Sequence, residues 1–337
     1  MKRVGYLIEQ IADMDNLRLA FFKAQRGKGI KKEVDDYRKK LDTNLLQLRK
    51  ELLDGKVNVG SYHLFKIYDP KERMVCAATF RERVLHHALM HVCAPVFERH
   101  FVETTYANRT NKGTYKALDT AFKAINKYPY VAKLDVRKYF DHIDHAILMT
   151  LINKLFKDRR LLNILRQIIQ SYCVEQGKGI PIGNLTSQYF ANYYLSPIDH
   201  YAKEELKIPI IVRYMDDILM FDNEYESLKE KVVAFQQVVE TRLLLTLKPP
   251  ILQKTEIPIS FLGYQISKHK IGLTLRSKKR FKKKYKAIVK AKGNDNYSEQ
   301  EIQAHLLPLF AFVQHGYTKQ YRKRILKEVT SRRVQTA

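Results

Sequence analysis

The sequence has few cysteines, few acidic residues and no long apolar segment. Its three cysteines, Cys76, Cys93 and Cys173, lie far apart in a chain of 337 residues and are odd in number. This usage favours a reducing compartment and argues against a zinc site. No apolar run reaches the roughly 18 residues that a membrane-spanning helix needs, and the first residues lack the apolar core of a signal peptide. We therefore expect a cytoplasmic protein that does not enter a membrane.

The shortage of acidic residues leaves a large positive charge. The chain has 35 acidic residues against 61 lysines and arginines, a formal net charge of +26. Residues 276–337 carry 17 of these basic residues and only 4 acidic ones. So basic a protein is expected to bind a polyanion, most often nucleic acid. The cations of this segment that we select as phosphate contacts are Lys278, Lys279, Arg280, Lys282, Lys283 and Lys284.

The stretch 210–221 holds two adjacent carboxylates between two apolar runs. Those runs are rich in β-branched and aromatic residues, which predicts a β-hairpin with Asp216 and Asp217 at its tip. Tight hairpin turns prefer Asn-Gly or Asp-Gly, and two aspartates side by side repel each other. A local rule broken within a strong strand pattern points to function, here the binding of a divalent cation. An ordinary acidic surface turn is the open alternative.

Three further segments carry polar residues at element ends. A predicted strand ends in Asp135, with Phe140 five residues later. A predicted hairpin over 64–78 has Lys71 and Arg73 near its tip, where cations can clamp a triphosphate or be solvated turn charges. The glycine-rich loop 177–188 allows close approach to a ligand, or is a tight turn before a core helix. A further strand is predicted over 259–266.

Together these segments fit two-metal phosphoryl or nucleotidyl transfer. The chemistry needs anionic oxygen ligands on rigid strands, and two cations bridging Asp135 and Asp216 would meet that need. The resemblance to reverse transcriptases rests on the same residues. Tyr214-Met215-Asp216-Asp217 matches their Tyr-x-Asp-Asp box, and Asp135 with Phe140 matches their first aspartate motif. Pro70 to Arg73, Lys254 and Phe261-Leu262-Gly263-Tyr264 resemble further motifs of that family, in the right order over residues 64–275.

The resemblance implies an α+β fold of the right-hand polymerase class. It implies N-terminal helices and fingers over 1–130, a palm with an antiparallel sheet over 131–270, and a basic helical thumb over 271–337. It also implies two Mg²⁺ ions, with Mn²⁺ as a substitute, and template RNA, primer or cDNA, and dNTPs as partners. The catalytic residues would be Asp135, Asp216 and Asp217, and the metal ligands these three with Val136. The nucleotide contacts would be Lys71, Arg73, Phe140, Ile182, Gly183 and Gln188, with Phe140 as the gate that rejects a 2′-hydroxyl. The further nucleic-acid contacts would be Arg109, Lys112 and Lys254.

The loop Ile182-Gly183-Asn184-Leu185-Thr186-Ser187-Gln188 narrows the resemblance. It is similar to the loop of reverse transcriptases from diversity-generating retroelements of bacteria and phages. That likeness implies cDNA synthesis with errors at template adenines, a bacterial host cell and a small basic accessory variability protein. Three alternatives stay open: a retron or group II intron type enzyme, a non-catalytic RNA-binding protein on the same fold, and a basic scaffold whose acidic hairpin holds a structural ion.

Overall fold

The computed structural model describes residues 2–28, 31–68, 72–293 and 298–334. In this part of the chain no helix is both long and apolar enough to cross a membrane. The helices are α1 Ile8–Ile11, α2 Met14–Ala24, α3 Lys32–Lys39, α4 Leu41–Asp54, α5 Phe80–Glu98, α6 Thr114–Lys127, α7 Tyr139–His142, α8 His145–Leu155, α9 Arg159–Gln170, α10 Leu185–Tyr194, α11 Ser196–His200 followed by the π-helical turn Tyr201–Glu205, α12 Tyr225–Leu243, α13 Leu275–Gly293, α14 Glu299–Gln314 and α15 Lys319–Val334. The strands are β1 Tyr62–Tyr68, β2 Glu72–Ala78, β3 Tyr130–Asp135, β4 Ile210–Tyr214, β5 Asp217–Asp222, β6 Ile251–Lys254, β7 Ile259–Phe261, β8 Tyr264–Ile266 and β9 Ile271–Leu273.

Apolar spacing explains the N-terminal helices. In α4, Leu45, Leu48 and Leu52 recur at helical intervals and are completely buried. The helix ends at Gly55, whose φ of 67° is the left-handed conformation that glycine adopts without steric cost. The periodic pattern that begins at Val34 is divided into two helices at Lys40, which has non-helical dihedral angles.

The chain forms two compact units. The first comprises residues 1–109, 135–207 and 233–249, and it holds the hairpin β1–β2 together with most of the buried helices. The second comprises 110–134, 208–232 and 250–337, and it holds most of the strands and the three C-terminal helices. The division into 1–130, 131–270 and 271–337 stays a prediction.

A four-stranded sheet carries the two segments that hold the predicted aspartates. Its strand order is β4-β5-β3-β6, with β4 antiparallel to β5 and β3 antiparallel to β6. Both β4 and β5 are mostly buried, as their β-branched and aromatic composition predicts. The expected mixture of helices and antiparallel strands is therefore confirmed.

The prediction of a single strand over 259–266 is wrong, because this segment forms a hairpin of two strands. β7 and β8 pair directly, with Phe261 opposite Tyr264. Leu262 and Gly263 form the turn and both have positive φ, at 50° and 85°. Two successive residues of positive φ are the geometry of the tight turn that matches the twist of a hairpin. The glycine in the sequence marked this turn, not a strand interior.

Candidate active site

The turn between β4 and β5 is built from Met215 and Asp216. Tyr214 pairs with Asp217, so Asp217 is the first residue of β5 and not part of the tip. The prediction that both aspartates occupy the tip is thus wrong for Asp217. The strand register separates the two side chains: one projects from a turn and the other from a strand. Both are partly exposed.

A strained residue and a buried arginine shape this turn. Met215 has a φ of 54°, which is uncommon for any residue other than glycine. Arg213, only 1% exposed, donates a hydrogen bond from Nη1 to the carbonyl oxygen of Met215 at 3.0 Å. A buried guanidinium therefore holds the backbone immediately before Asp216. Arg213 was not among the residues predicted from the sequence, because one arginine in an apolar strand looks like an edge residue.

A lysine from β3 stands beside Asp217. The Nζ atom of Lys133 lies 4.0 Å from the Oδ1 atom of Asp217. The same ammonium donates a hydrogen bond to the carbonyl oxygen of Ser260 in β7 at 2.7 Å. Lys133 therefore links the first residue of β5 to the β7–β8 hairpin, and it supplies positive charge to a carboxylate that is about one-third exposed (32%).

Asp135, the last residue of β3, is approached by the segment that follows α12. The amide of Lys248 donates to the carbonyl oxygen of Asp135, and the amide of Arg137 donates to that of Thr246, both at 2.9 Å. These bonds hold the two segments next to each other. The ammonium of Lys248 forms an ion pair with the carboxylate of Asp135. Lys248 was also missed, because nothing in its local sequence indicates this long-range pairing.

Phe140 is tied to the glycine-rich loop. Its carbonyl oxygen accepts a hydrogen bond from the amide of Ile180 at 2.9 Å. The ring of Phe140 meets that of Tyr139 edge to face at 5.7 Å, and the hydroxyl of Tyr139 donates to the carbonyl oxygen of Ala191. Phe140 is half-buried, so its backbone is fixed while part of its ring stays accessible.

The same loop docks on the hairpin β1–β2. The amide of Cys76 donates to the carbonyl oxygen of Ile182 at 2.9 Å. Gly183 has a φ of 115°, and a Cβ there would come within 3.0 Å of Val75 and 3.3 Å of the Cys76 carbonyl. Only glycine fits this approach. The structure thus brings Ile182 and Gly183 against β2, the strand that carries the exposed Arg73. Lys71 lies outside the described residues.

The other predicted contacts have diverse surroundings. Arg109 donates from Nε to Glu98 at 2.8 Å and from Nη1 to the carbonyls of Val102 and Thr105. These contacts give Arg109 a structural role and do not support its assignment to nucleic acid. Lys254 is exposed and opposite Tyr130, at the other end of β3 from Asp135. Gln188 and Lys112 are half-exposed.

The predicted phosphate contacts of α13 fall into two groups, one that contacts the other C-terminal helices and one that is exposed. Lys282 pairs with Glu328 of α15 at 2.7 Å, and the ammonium of Lys278 lies 5.9 Å from the centre of the Tyr321 ring. The guanidinium of Arg280 lies 5.3 Å from the centre of the Phe312 ring. These three side chains help to hold the C-terminal helices together. Lys279, Lys283 and Lys284 are exposed.

The donor chemistry of the aspartates suits magnesium. Carboxylate oxygens are hard ligands, and Mg²⁺ commonly uses one or two of them together with substrate phosphates and water. Within residues 2–28, 31–68, 72–293 and 298–334, no group of three or more histidine, cysteine, aspartate or glutamate side chains is arranged to hold a metal. Asp135 and Asp217 are each accompanied by a lysine ammonium, which places a positive charge beside the carboxylate.

Relatives of known identity are similar over part of the chain. The protein YkfC of Escherichia coli K12 is 24% identical over 180 residues, which cover 49% of this chain and 47% of YkfC. The group II intron-encoded protein LtrA of Lactococcus lactis subsp. cremoris is 23% identical over 150 residues, covering 43% of this chain and 25% of LtrA. The chain thus matches about half, or less, of the length of these relatives. Apo telomerase from Candida tropicalis, truncated from its C-terminal domain, matches with a TM-score of 0.46 at 14% identity over 63% of this chain and 55% of that one.

A protein-family model gives the more extensive match. The model described as reverse transcriptase (RNA-dependent DNA polymerase) matches residues 68–266. That range is more than half of the 337 residues and contains Asp135, the loop 177–188 and the β4–β5 hairpin. This chain therefore belongs to the reverse transcriptase (RNA-dependent DNA polymerase) family.

Proposed function

We propose that the chain is an RNA-directed DNA polymerase that extends a primer by metal-dependent nucleotidyl transfer. The observation that carries the proposal is the Tyr214–Asp217 hairpin, in which a buried arginine fixes the backbone before Asp216. β3, which ends in Asp135, is the neighbour of β5 in the same sheet. Rigid strands with carboxylates at their ends are what two-metal chemistry requires.

Asp135, Asp216 and Asp217, with the backbone of Val136, would hold the ions. Two Mg²⁺ ions bound there would lower the pKa of the primer 3′-hydroxyl and neutralise charge on the leaving pyrophosphate. Arg73, and Lys71 by resemblance, would contact the triphosphate through charge-assisted hydrogen bonds. The ammonium groups of Lys248 and Lys133 lie beside the carboxylates of Asp135 and Asp217. When a metal ion binds, each ammonium group would have to share its carboxylate with the ion or move away.

Phe140 would select dNTPs over rNTPs. Phe140 is half-buried, its carbonyl oxygen accepts a hydrogen bond from the amide of Ile180, and its ring contacts that of Tyr139. A fixed aromatic ring below the sugar would clash with a 2′-hydroxyl, so Phe140→Ala should raise incorporation of rNTPs relative to dNTPs. Single-nucleotide extension with each nucleotide type measures this ratio. An unchanged ratio would remove Phe140 from the role of gate.

The finer proposal is error-prone copying at template adenines within a diversity-generating retroelement. Its support is the loop from Ile182 to Gln188, in which an apolar residue stands where most members of the family have glutamine. Loss of an amide there would remove a polar contact near the incoming nucleotide, and discrimination by paired hydrogen bonds gives the largest selectivities. Template RNA and a small basic accessory protein would be the partners.

A group II intron type enzyme is the second candidate. It is favoured by the similarity to LtrA, a group II intron-encoded protein, and by a nuclear intron maturase of Arabidopsis thaliana that is 26% identical over 91 residues, covering 27% of this chain and 13% of that protein. In this alternative the RNA that is copied into cDNA is an intron.

Primer extension on a defined RNA template with dNTPs and Mg²⁺, followed by sequencing, tests these proposals. We expect full-length cDNA from the natural protein, no product from Asp216→Asn, and unchanged synthesis from Asp54→Asn, an exposed aspartate at the end of α4. Substitutions concentrated opposite adenines support the retroelement role, whereas accurate cDNA overturns it and leaves the intron alternative. Retained synthesis by Asp216→Asn would contradict the catalytic assignment.

A further inference from the structure

A cluster of basic residues surrounds His87 in the first unit. The cationic cluster is defined as Lys23, Arg26, Lys28, Lys31 and Arg83. It draws on three elements: the last turn of α2, the connection to α3, and the first half of α5. α5 packs against both α2 and α3. No residue of the cationic cluster belongs to the nucleotide or nucleic-acid contacts predicted from the sequence.

The positive charges of the cationic cluster have no carboxylate partners among the described residues. In the described part of the chain, none of its five residues forms an ion pair with a carboxylate. Neighbouring cations differ: Arg18 pairs with Asp42 at 3.3 Å, and Lys39 pairs with Asp35 at 2.8 Å. The cations beside the cationic cluster are therefore neutralised by carboxylates, whereas the cluster keeps its excess positive charge.

Electrostatic crowding is visible in two groups. Burial is the largest reason that the pKa of His87 falls to about 4, and four members of the cationic cluster lower it further. Burial also lowers the pKa of Lys28, with Arg83 and Lys31 adding to the effect and Glu33 opposing it. The positive charges are therefore close enough to repel one another, and an anion bound among them would relieve that repulsion.

The charge of the cationic cluster indicates a polymeric anion. Its five cations together exceed the charge of one phosphate group, which is about −2 at neutral pH, and they come from three elements of the fold. The nucleic-acid backbone, with one charge at each nucleotide, can contact several of them at once. We propose that the cationic cluster is a binding site for the phosphodiester backbone of RNA. The identity of this polyanion rests on the proposed function.

Neutralisation of three cations of the cationic cluster tests the proposal. The test variant is Lys23→Gln/Arg26→Gln/Lys31→Gln. The matched control is Arg18→Gln/Arg38→Gln/Lys39→Gln, which removes the same charge from α2 and α3 but at residues that pair with Asp42 or Asp35. Fluorescence anisotropy of a labelled single-stranded RNA oligonucleotide gives affinity over a series of salt concentrations. Thermal denaturation checks that both variants fold, and the three single substitutions replace the test variant if it does not.

The expected result is a loss specific to the test variant. Its RNA affinity should fall about 10- to 100-fold at about 0.1 M salt, and the slope of log affinity against log salt should decrease by about 2, since each single-strand phosphate contact contributes about 0.7. The control should lose less than about 3-fold, because its cations are already neutralised. An equal loss in both variants would mean that net charge alone is responsible, and no loss in the test variant would exclude the site.

A local measurement separates RNA from a smaller phosphate source. In NMR titrations, bound RNA should raise the pKa of His87 because phosphate charge offsets the surrounding cations. Inorganic triphosphate should raise it much less at the same phosphate concentration. An equal shift by triphosphate would overturn the polymeric assignment. These readouts need no catalysis, so a protein that fails to extend primers but loses RNA binding in the test variant would contradict the proposed function and support the site.

Discussion

The strand β3, which ends in Asp135, lies beside β5, which begins at Asp217 directly after the turn residue Asp216, but the protein holds these two segments in different ways. The hairpin is fixed from within by Arg213, which is 1% exposed, and by the left-handed Met215. Asp135 lies at a strand end, fixed by backbone bonds to the segment after α12 and faced by Lys248, whose side chain is 38% exposed. One carboxylate segment is therefore oriented by buried groups, while the other is paired with a lysine that is partly exposed.

Replacing Asp135 by asparagine should have the largest effect. The substitution keeps the shape of the side chain and removes its charge, so we expect loss of detectable primer extension. Thermal stability should change little, because Lys248 can be solvated once its partner is neutral. Extension assays and thermal denaturation measure the two effects, with Asp54→Asn as control. Extension within tenfold of the natural protein would show that the Asp135 carboxylate is not needed for synthesis.

Arg213→Lys should slow catalysis by about 100-fold, because a misplacement of about 1 Å at reacting groups has that cost. Lysine cannot present the planar fork that reaches the Met215 carbonyl, so Asp216 should shift. We expect a lower kcat with an unchanged KM for dNTP. Arg160→Lys, at an exposed arginine paired with Glu9, is the control. If kcat persists while stability alone falls, Arg213 is structural and does not position the turn.

The substitution Asp222→Asn tests whether β5 is also fixed at its C-terminal end. Asp222 is 5% exposed and accepts a hydrogen bond from Lys231 at 2.7 Å. Burial opposes ionisation, but the hydrogen bonds from Lys231 and the Asn223 amide outweigh it, so the net pKa of Asp222 is lowered from 3.8. Asp222→Asn should therefore lower the free energy of unfolding by about 2 kcal/mol at neutral pH.

The sign of the shift predicts the pH dependence of that loss. A carboxylate with a lowered folded-state pKa contributes stability above its unfolded pKa, and the contribution disappears as pH falls through the folded value. The stabilities of the two proteins in urea unfolding should thus differ most at neutral pH, and the difference should shrink as the pH falls below about 4. A difference that is independent of pH would assign the loss to packing instead of charge.

Met215→Val should lower the free energy of unfolding by about 1–2 kcal/mol, since a β-branched side chain is poorly tolerated at positive φ. Met215→Gly should be nearly neutral, because relief of strain is offset by greater freedom of the unfolded chain. Met74→Val, at an exposed position of β2, is the control and should lose nothing. Equal stability of the two valine variants would show that the backbone at Met215 is not strained.

Lys248→Met should have the smallest effect and act in the opposite direction. Removal of the ammonium frees the Asp135 carboxylate, so the half-saturating Mg²⁺ concentration should fall by up to about 5-fold, in keeping with a partly exposed ion pair worth at most about 1 kcal/mol. Mn²⁺ binding followed by electron paramagnetic resonance gives an independent readout. Lys270→Met, at an exposed lysine between β8 and β9, is the control. A weaker metal affinity would make Lys248 a supporting residue instead of a competitor.

The family and most elements near the site could be predicted from the sequence. The right-hand polymerase class is confirmed by the family match over residues 68–266, and the hairpins β1–β2 and β4–β5 lie where composition predicts them. The metal ligands, the nucleotide contacts and the retroelement role stay predictions. The turn itself could not be predicted, because the register of Tyr214 with Asp217 depends on one residue of positive φ, which an apolar pattern does not reveal.

The sequence by itself determined that this is a basic member of the reverse transcriptase family with two aspartate-bearing strands. Strand composition, the order of the motifs and net charge are properties of local segments, so they can be read without the fold. The tertiary structure alone decided that Lys248 reaches Asp135, 113 residues away, and that Lys133 stands by Asp217. It also decided which cations are neutralised and which remain in the cationic cluster. Such pairings depend on which segments the folded backbone brings together, and no local pattern encodes them.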